Sequence, residues 1–293
     1  MSHAARNVTD MTGAATPSPA AAVWVDDRLV DPVAPALSAF DHGLVAGDGV
    51  FDACKVVDGQ PFALSRHLRR LAISASRLGL PVPDPDRVRA AVDAVTGAAP
   101  MPLGKLRITW TGGLGPLGSG RDAGASPTLV VALAPLAPPG PVADVVTAPW
   151  TRNERGALVG IKSTSYAENV RALAVAGQRH ASEAVFANTA GDLCEGTGTN
   201  VFCVFAGELV TPPLTSGALA GITRALVLAW HGALERDVPL AEAQLADEVF
   251  LTSSTRDVQP VRRWDDRRLA APGPVTRAVQ ATWAAHAAEA DPS

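Results

Sequence analysis

The segment GDLCEGTGTNVFCVFAGELVTPPLTSGALAGITRAL, residues 191–226, combines two strands, a turn and the start of a helix. Apolar runs at Asn200–Phe205 and Leu209–Val210 are typical of strands joined by a short turn. A helix is predicted over Ile222–Leu234, directly after Gly221. Glycine has no side chain that could cap this helix. The first N–H groups of the helix and its positive dipole end are therefore suited to binding an anion.

Further helices and strands are predicted on both sides of this segment. Helical spacing and capping signals predict helices over Ser65–Leu78, Asp84–Thr96, Ala167–His180 and Pro274–Ala287. Alternating or apolar runs predict strands at Gly49–Asp58, Lys105–Thr111, Thr128–Ala134, Asp144–Pro149, Glu183–Ala187 and Glu248–Thr252. Strands and helices do not alternate regularly, so we expect an α+β fold with two lobes hinged near residues 115–150.

The domain organisation follows from this order. Residues 1–20 lack the apolar core and basic start of a signal peptide, and are predicted to form a disordered tail. A smaller N-terminal domain is expected over residues 21–140. A larger β-rich domain, containing the cofactor site, is expected over residues 141–288.

Composition excludes several classes of protein. The net charge is −4, from 25 basic and 29 acidic residues, which argues against nucleic acid as a partner. No run of about 18 apolar residues predicts a membrane span. Three irregularly spaced cysteines (Cys54, Cys194 and Cys203) favour a reducing, cytoplasmic location over a disulfide framework. The spacing of His and Cys residues predicts no metal site.

Two side chains are candidates for chemistry. Lysine is rare in this chain, and Lys162 follows an apolar stretch and precedes three small hydroxyl residues. A desolvated lysine amine attacks carbonyl groups, although a solvated loop lysine is equally compatible with the segment alone. Glu195 has two interpretations. It is either a carboxylate held inside the protein between apolar residues and small turn-forming residues, or an exposed turn residue before a strand.

Anion-binding groups complete the set. Gly221-Ile222-Thr223 opens a helix, Thr252–Thr255 offers hydroxyl and N–H groups after a strand, and Arg70 lies on a predicted helix. An amine, a carboxylate and several phosphate-binding groups are together what a protein needs to bind and use pyridoxal 5′-phosphate.

The chain also resembles a known family, the class IV aminotransferases, which are fold-type IV pyridoxal-phosphate enzymes. The matching stretches occur in the family's order and are FDHGLVAGDGVFDACKVVDG (40–59), HLRRLAISASRLGL (67–80), GIKSTSYAENVRAL (160–173), the segment 191–226, and ADEVFLTSSTRDVQPV (246–261). The resemblance implies a smaller N-terminal α/β lobe, a larger C-terminal β-rich lobe, and the cofactor between them.

The resemblance also implies roles for individual residues. Lys162 would form the Schiff base with pyridoxal phosphate and act as the catalytic residue, and Glu195 would face the pyridine nitrogen. The remaining cofactor-binding residues would be Arg70, Leu219, Gly221, Ile222, Thr223, Ser253 and Ser254. Looser matches would form the substrate pocket: Phe51, Lys55, Arg107, Ser253 and Thr255.

Tyr166 is a further candidate for the substrate site. It follows Lys162 by four residues, so the two would share a helix face if a helix had already begun. In the branched-chain enzymes of the family the tyrosine follows by five residues. Tyr166 is therefore interpreted either as a hydroxyl that tunes the amine or as an aromatic that packs on the core.

The expected reaction is transfer of an amino group between an amino acid, possibly branched-chain or D-configured, and a 2-oxo acid. The alternative is a 4-amino-4-deoxychorismate lyase that releases 4-aminobenzoate and pyruvate. The familiar D-amino-acid enzymes carry an Arg-x-His pair in the loop that corresponds to Gly112–Gly120, and this chain lacks it. A D-specific activity would need Lys55, Arg107 or Arg121 instead. The family further implies a homodimer in which this loop closes the partner's site.

Overall fold

A computed structural model describes residues 21–289 and residue 291. The predicted tail, residues 1–20, lies outside the described residues. Within the described part of the chain, no helix is long and apolar enough to cross a membrane. No group of three or more His, Cys, Asp or Glu side chains in that part is arranged to hold a metal ion.

The N-terminal lobe is a six-stranded antiparallel sheet with helices on one face. Its elements are β1 (Ala22–Val25), β2 (Arg28–Val30), α1 (His42–Val45), β3 (Gly49–Val57), β4 (Gln60–Pro61), α2 (Leu64–Leu78), α3 (Pro85–Ala98), β5 (Leu103–Thr111) and β6 (Leu129–Pro135). The strand order is β2-β1-β6-β5-β3-β4. Helix α2 packs on β3, and α3 packs on β1 and β6.

The sequence explains why α2 forms where it does. Leu64, Leu68, Leu71 and Ala75 recur at helical spacing and are all buried. The helix ends at Gly79, whose φ of 75° is a left-handed conformation that glycine adopts without steric cost. The buried stripe therefore faces the sheet and forms the core of this lobe.

The C-terminal lobe is built on a nine-stranded mixed sheet. Its elements are β7 (Ala143–Thr147), α4 (Ala167–Gln178), β8 (Glu183–Ala187), β9 (Leu193–Gly196), β10 (Asn200–Phe205), β11 (Glu208–Thr211), a 3₁₀ turn (Leu214–Ser216), α5 (Ile222–Trp230), β12 (Leu234–Glu235), α6 (Leu240–Ala243), β13 (Glu248–Ser253), β14 (Asp257–Trp264), β15 (Arg267–Arg268) and α7 (Pro274–His286). The strand order is β12-β11-β10-β13-β14-β7-β8-β9, with β15 paired to β14.

The segment that carries Lys162 is attached to the N-terminal lobe by backbone pairing. Ser163 forms a β-bridge with Val50 of β3. The N–H of Phe51 donates to the carbonyl of Lys162 at 2.9 Å, and the N–H of Thr164 donates to the carbonyl of Gly49 at 2.8 Å. Lys162 is therefore held against β3 although it lies far from it in sequence.

Most predicted elements match the structure to within one or two residues, and the sequence did not predict several short elements, namely α1, β4, α6, β12 and β15. The principal differences concern one helix and two strands. The helix predicted over Ile222–Leu234 ends at Trp230, because Leu234 and Glu235 instead pair with β11. Strands β9 and β14 were not predicted. Strand β9 looks like a turn in sequence but pairs with β8, and β14 contains Pro260, which disfavours a strand locally, yet lies between β13 and β7.

The two sheets span residues 22–135 and 143–268. Each falls inside one of the two domains expected from the sequence. The exact boundary between residues 140 and 141 stays a prediction.

Leu71→Ala tests the packing of α2. Leu71 is fully buried, and we expect its truncation to lower the free energy of unfolding by about 2–5 kcal/mol. Urea denaturation followed by circular dichroism measures this change. Leu245→Ala is the matched control, because Leu245 is 71% exposed and its truncation should change stability by less than about 0.5 kcal/mol. Equal effects of the two variants would contradict the packing described here.

Candidate active site

A cavity of about 280 Å³ contains nearly all of the predicted site residues. Both lobes contribute to its walls. Thirteen predicted residues line it, namely Phe51, Arg70, Arg107, Lys162, Tyr166, Glu195, Leu219, Gly221, Ile222, Thr223, Ser253, Ser254 and Thr255. Groups that are scattered over some 200 positions of sequence thus meet in one place.

Lys55 is the exception, and its position differs from the prediction. It does not line this cavity. Its ammonium donates to both carboxylate oxygens of Asp257 at 2.7 Å and lies 4.9 Å from the centre of the Phe62 ring. Because this ion pair joins β3 to β14, Lys55 links the two lobes instead of facing the cavity.

Lys162 is half-buried, as a reactive lysine requires. Its Nζ lies 4.6 Å from the centre of the Phe51 ring, and its backbone N–H donates to Ser74 Oγ at 3.2 Å. Burial lowers the pKa of the Lys162 amine from 10.5 to about 8, and the positive charge of Arg70 acts in the same direction. More of this amine is therefore neutral, and hence nucleophilic, near neutral pH than in an ordinary lysine.

Tyr166 contacts the amine without sharing a helix with it. Helix α4 begins after Tyr166, so Lys162 lies outside that helix. The Tyr166 hydroxyl is nevertheless 3.3 Å from Lys162 Nζ, and its ring meets the Phe51 ring edge-on at 5.0 Å. Burial raises the pKa of Tyr166 to about 12, so the hydroxyl keeps its proton. The hydroxyl of Tyr166 therefore contacts the lysine amine, and its ring packs against the buried Phe51 ring.

Glu195 is on strand β9 and faces the cavity from the C-terminal lobe. Its Oε2 accepts the N–H of Leu219 at 2.8 Å, and Arg152 Nη2 lies 3.9 Å from its Oε1. Burial raises the pKa of Glu195, although Arg152 opposes the shift. A carboxyl group in these surroundings can share a proton with a basic ring nitrogen.

Arg152 is a functional candidate that the sequence analysis missed. Its guanidinium lies over the Phe186 ring at 4.4 Å and donates to Asn169 Oδ1 at 3.2 Å. These contacts aim it at Glu195. No local motif marks Arg152, because its role depends on strand β9 and helix α4 packing around it.

Asp52 and His67 were also missed. Asp52 is fully buried and accepts hydrogen bonds from Arg70 Nε at 2.9 Å and Arg70 Nη2 at 2.7 Å. His67 Nδ1 lies 2.6 Å from the same carboxylate. Burial disfavours the charge of Asp52, but Arg70 and His67 outweigh it and hold its pKa well below the usual range. The sequence did contain a signal for Asp52, because a carboxylate within an otherwise apolar predicted strand is unusual.

The cluster of Asp52, His67 and Arg70 extends to Ser254 and to the start of α5 in the C-terminal lobe. Burial lowers the pKa of His67, which favours a neutral ring that donates from Nδ1 to Asp52. Its Nε2 then accepts from Ser254 Oγ at 3.4 Å. The third guanidinium nitrogen, Arg70 Nη1, donates to the carbonyl of Ala220 at 3.1 Å, directly before helix α5.

The start of α5 lies at one end of the cavity. Gly221 caps the helix without a side-chain hydrogen bond, and a Cβ added there would collide with Asn200 Oδ1. Asn200 Nδ2 in turn donates to the carbonyl of Leu219 at 2.9 Å. Within the described residues, the buried hydroxyls of Thr252 and Ser253 have no hydrogen-bond partner. Open N–H groups, unpartnered hydroxyls and Arg70 together fit a phosphate group.

Comparison with known proteins identifies the family of this chain. The family model for amino-transferase class IV matches residues 49–264. A putative branched-chain-amino-acid aminotransferase of Methanocaldococcus jannaschii is 30% identical over 255 residues, which cover 84% of this chain and 88% of that protein. A bifunctional aminodeoxychorismate lyase / D-amino acid transaminase of Mycobacterium tuberculosis is 29% identical over 279 residues, covering 84% and 92%.

A solved structure shares the fold. The PLP-bound form of a hypothetical aminotransferase from Mycobacterium tuberculosis matches with a TM-score of 0.80 at 27% identity, covering 91% of this chain and 98% of that one. The expected α+β, fold-type IV architecture is thereby confirmed. Since the family model spans most of the chain and both lobes, this chain belongs to the class IV aminotransferases.

Proposed function

We propose that this aminotransferase binds pyridoxal 5′-phosphate in the cavity between its lobes and transfers an amino group between an amino acid and a 2-oxo acid. The observation that carries the proposal is the placement of Lys162. Its amine, with a pKa of about 8, lines the same cavity as Glu195, Arg70 and the open start of α5. The cofactor seen in the Mycobacterium tuberculosis structure supports the same assignment.

The phosphate would be held where the chain leaves donors unpaired. Ile222 and Thr223 offer N–H groups at the start of α5, and Arg70 offers a fixed cation. The hydroxyls of Thr252 and Ser253 are buried without partners in the described chain, and Ser254 lies beside them. A group with several acceptor oxygens would satisfy these donors together.

The ring would lie between Leu219 and the N-terminal lobe, with its nitrogen toward Glu195. Leu219 lines the cavity, and its N–H fixes one oxygen of Glu195. Burial raises the pKa of Glu195 and Arg152 opposes this shift, so the carboxyl group would share a proton with the ring nitrogen next to it. When bound, the cofactor supplies a ring that accepts electrons from the bond being broken at the α carbon.

Lys162 would act as both the attachment point and the proton carrier. Its amine has a pKa close to the working range of a general base. The protonated Tyr166 hydroxyl at 3.3 Å orients the amine, and Phe51 limits its movement from the other side. Lys162 can thus take a proton from the substrate α carbon and return it elsewhere, while the surrounding side chains stay in place.

We further propose that the active form is a homodimer. Apolar side chains are exposed on two adjacent segments, and this apolar patch consists of Leu37, Phe40, Leu44, Leu114 and Leu117. The segments are joined by a β-bridge between Asp41 and Leu114. Exposed apolar patches of this kind mark protein–protein contacts. The patch includes part of the loop Gly112–Gly120, which the sequence predicts to close the partner's site.

The proposed function is tested by the visible absorption spectrum of the purified protein loaded with pyridoxal phosphate. We expect a yellow band that bleaches with at least one amino acid, in L or D form, and returns with a 2-oxo acid. Lys162→Ala should abolish covalent attachment after borohydride reduction and slow the reaction by at least about 10²-fold.

The other outcomes are equally informative. A band that no amino acid bleaches would overturn the transaminase assignment and make aminodeoxychorismate the next substrate to test. Loss of the band while Lys162 is intact, even with excess cofactor, would overturn the cofactor assignment.

A double-mutant cycle tests whether Asp52 positions Arg70. Asp52→Asn and Arg70→Gln should each weaken binding of pyridoxal phosphate to the apo protein by about 10- to 100-fold, because each removes a charged hydrogen-bonded contact. The double variant should be little worse than either single one. Equilibrium dialysis measures the affinities. Asp144→Asn is the control, since Asp144 pairs with Arg262 outside the cavity. Additive losses would contradict the coupling.

Light scattering on a sizing column tests the dimer. We expect wild-type protein at twice the chain mass, and Leu117→Glu at the mass of one chain, because a buried charge disfavours an apolar interface. Leu245→Glu is the control, as Leu245 is equally exposed but lies outside the patch. A monomeric wild-type protein would contradict the proposal.

A further inference from the structure

Glu183 is a buried carboxylate that the proposed chemistry does not use. It is the first residue of β8, and only 1% of its surface is exposed. A buried carboxylate is costly unless hydrogen bonds and a nearby cation compensate for the water that it has lost. The partners of Glu183 therefore show which parts of the molecule its charge holds in place.

One turn of the cavity wall is built around this carboxylate. Glu183 Oε1 accepts the backbone N–H of Thr197 at 3.0 Å and also the Thr197 hydroxyl. Glu183 Oε2 accepts the Thr199 hydroxyl at 3.3 Å. Both threonines belong to the turn Gly196-Thr197-Gly198-Thr199, which lines the cavity and directly follows Glu195. Both oxygens of Glu183 thus hold this turn.

The turn is closed tightly around Glu183. A Cβ added at Gly196 would collide with Thr199 Oγ1 and would lie 3.3 Å from the Glu183 side chain. From the other side, the buried Asn169 donates from Nδ2 to the carbonyl of Thr197. Buried polar groups on β8 and α4 therefore fix the turn between them.

The same carboxylate faces a second turn of the cavity wall. Arg256 Nη2 lies 3.7 Å from Glu183 Oε2 and donates to the carbonyl of Ser182 at 3.3 Å. Arg256 directly follows Ser253–Thr255, three hydroxyl residues that line the cavity between β13 and β14. Since Arg256 Nη1 also donates to Gln259 Oε1 at 3.3 Å, its guanidinium ties the base of this second turn to the start of β8.

Glu183 also acts on Glu195 through its charge. Burial raises the pKa of Glu195, and the negative charge of Glu183 acts in the same direction, whereas Arg152 and Lys162 oppose it. The buried charge on β8 is therefore close enough to influence the carboxyl group that is proposed to face the ring nitrogen.

We propose that Glu183 is a positioning residue that holds two turns, residues 196–199 and 253–256, in the arrangement that binds pyridoxal phosphate. This inference rests on the proposed function of the cavity. Asp52 holds Arg70 on the N-terminal side of the cavity, and Glu183 would have the corresponding role for the hydroxyl-rich turns of the C-terminal lobe. Each lobe would then use one buried carboxylate to fix its part of the cofactor site.

Binding of 4′-deoxypyridoxine 5′-phosphate to the apo protein tests this role. The analogue carries a methyl group where the cofactor carries its aldehyde, so it probes the surrounding turns without bonding to Lys162. Glu183→Gln preserves the shape of the side chain but removes its charge. We expect this variant to bind the analogue about 10-fold more weakly than the wild type, as measured by titration calorimetry.

Glu248→Gln is the matched control. Glu248 is also buried, and it accepts the N–H of Thr276 at 2.8 Å and the Thr276 hydroxyl at 2.6 Å. Its hydrogen bonds resemble those of Glu183, but they hold the start of α7 instead of the cavity wall. Both substitutions should lower Tm, whereas Glu248→Gln should change the affinity for the analogue by less than about twofold.

Substitutions at Thr199 test the same contact without removing a buried charge. Thr199→Val keeps the shape of the side chain without its hydroxyl, and should weaken binding of the analogue by about threefold to tenfold. Thr199→Ser keeps the hydroxyl and should restore most of the affinity. In the Glu183→Gln background, Thr199→Val should cause little further loss, because the contact is already broken.

The outcomes separate this inference from the proposed function. Unchanged affinity for the analogue in Glu183→Gln or, if that variant does not fold, in Thr199→Val would overturn the inference. Equal losses of affinity in Glu183→Gln and Glu248→Gln would also overturn it, because they would reflect stability alone. Wild-type protein that binds the analogue but forms no borohydride-stable bond with pyridoxal phosphate would overturn the proposed function and leave the role of Glu183 in place.

Discussion

The buried carboxylate of Asp52 is the charge on which the arrangement of the site depends. A buried, unpaired carboxylate costs several kcal/mol, so its partners must stay in place. Two nitrogens of Arg70 and one of His67 meet it, and these partners belong to α2, one helical turn apart. The ion cluster therefore locks α2 onto β3 and leaves the remaining face of Arg70 directed toward the start of α5.

The two lobes contribute different chemistry to the cavity. The N-terminal lobe supplies cations and the Phe51 ring, while the C-terminal lobe supplies Glu195, the helix N-terminus and small hydroxyl groups. Lys162 lies on the loop between β7 and α4 of the C-terminal lobe and pairs through its backbone with β3. Burial and the nearby positive charges of Arg70 and Arg107 lower the pKa of this amine. The cations that are proposed to bind anions therefore also favour the neutral form of the lysine.

Local patterns predicted much of this arrangement because they depend on neighbouring residues alone. The amphipathic spacing of α2, the Asp84 cap of α3 and the glycine before α5 are local signals, and each helix begins within one residue of its predicted start. Strand β14 was missed because Pro260 and its polar residues resemble a loop. That strand is stabilised by the hydrogen bonds of its two neighbours in the sheet, which no local pattern can reveal.

The sequence by itself determined the family and the start of helix α5, and it predicted Lys162 as the reactive lysine, Glu195 as the opposing carboxylate and the helix start as a phosphate site. Each of these depends on a residue type within a short, specific segment. Only the tertiary structure decided which charges pair. It placed Asp52 and His67 behind Arg70 and aimed Arg152 at Glu195. It also paired Lys55 with Asp257 instead of directing it toward the cavity. The physical reason is that ion pairing depends on separations of a few ångströms between side chains from distant strands, and only the packed sheets set those separations.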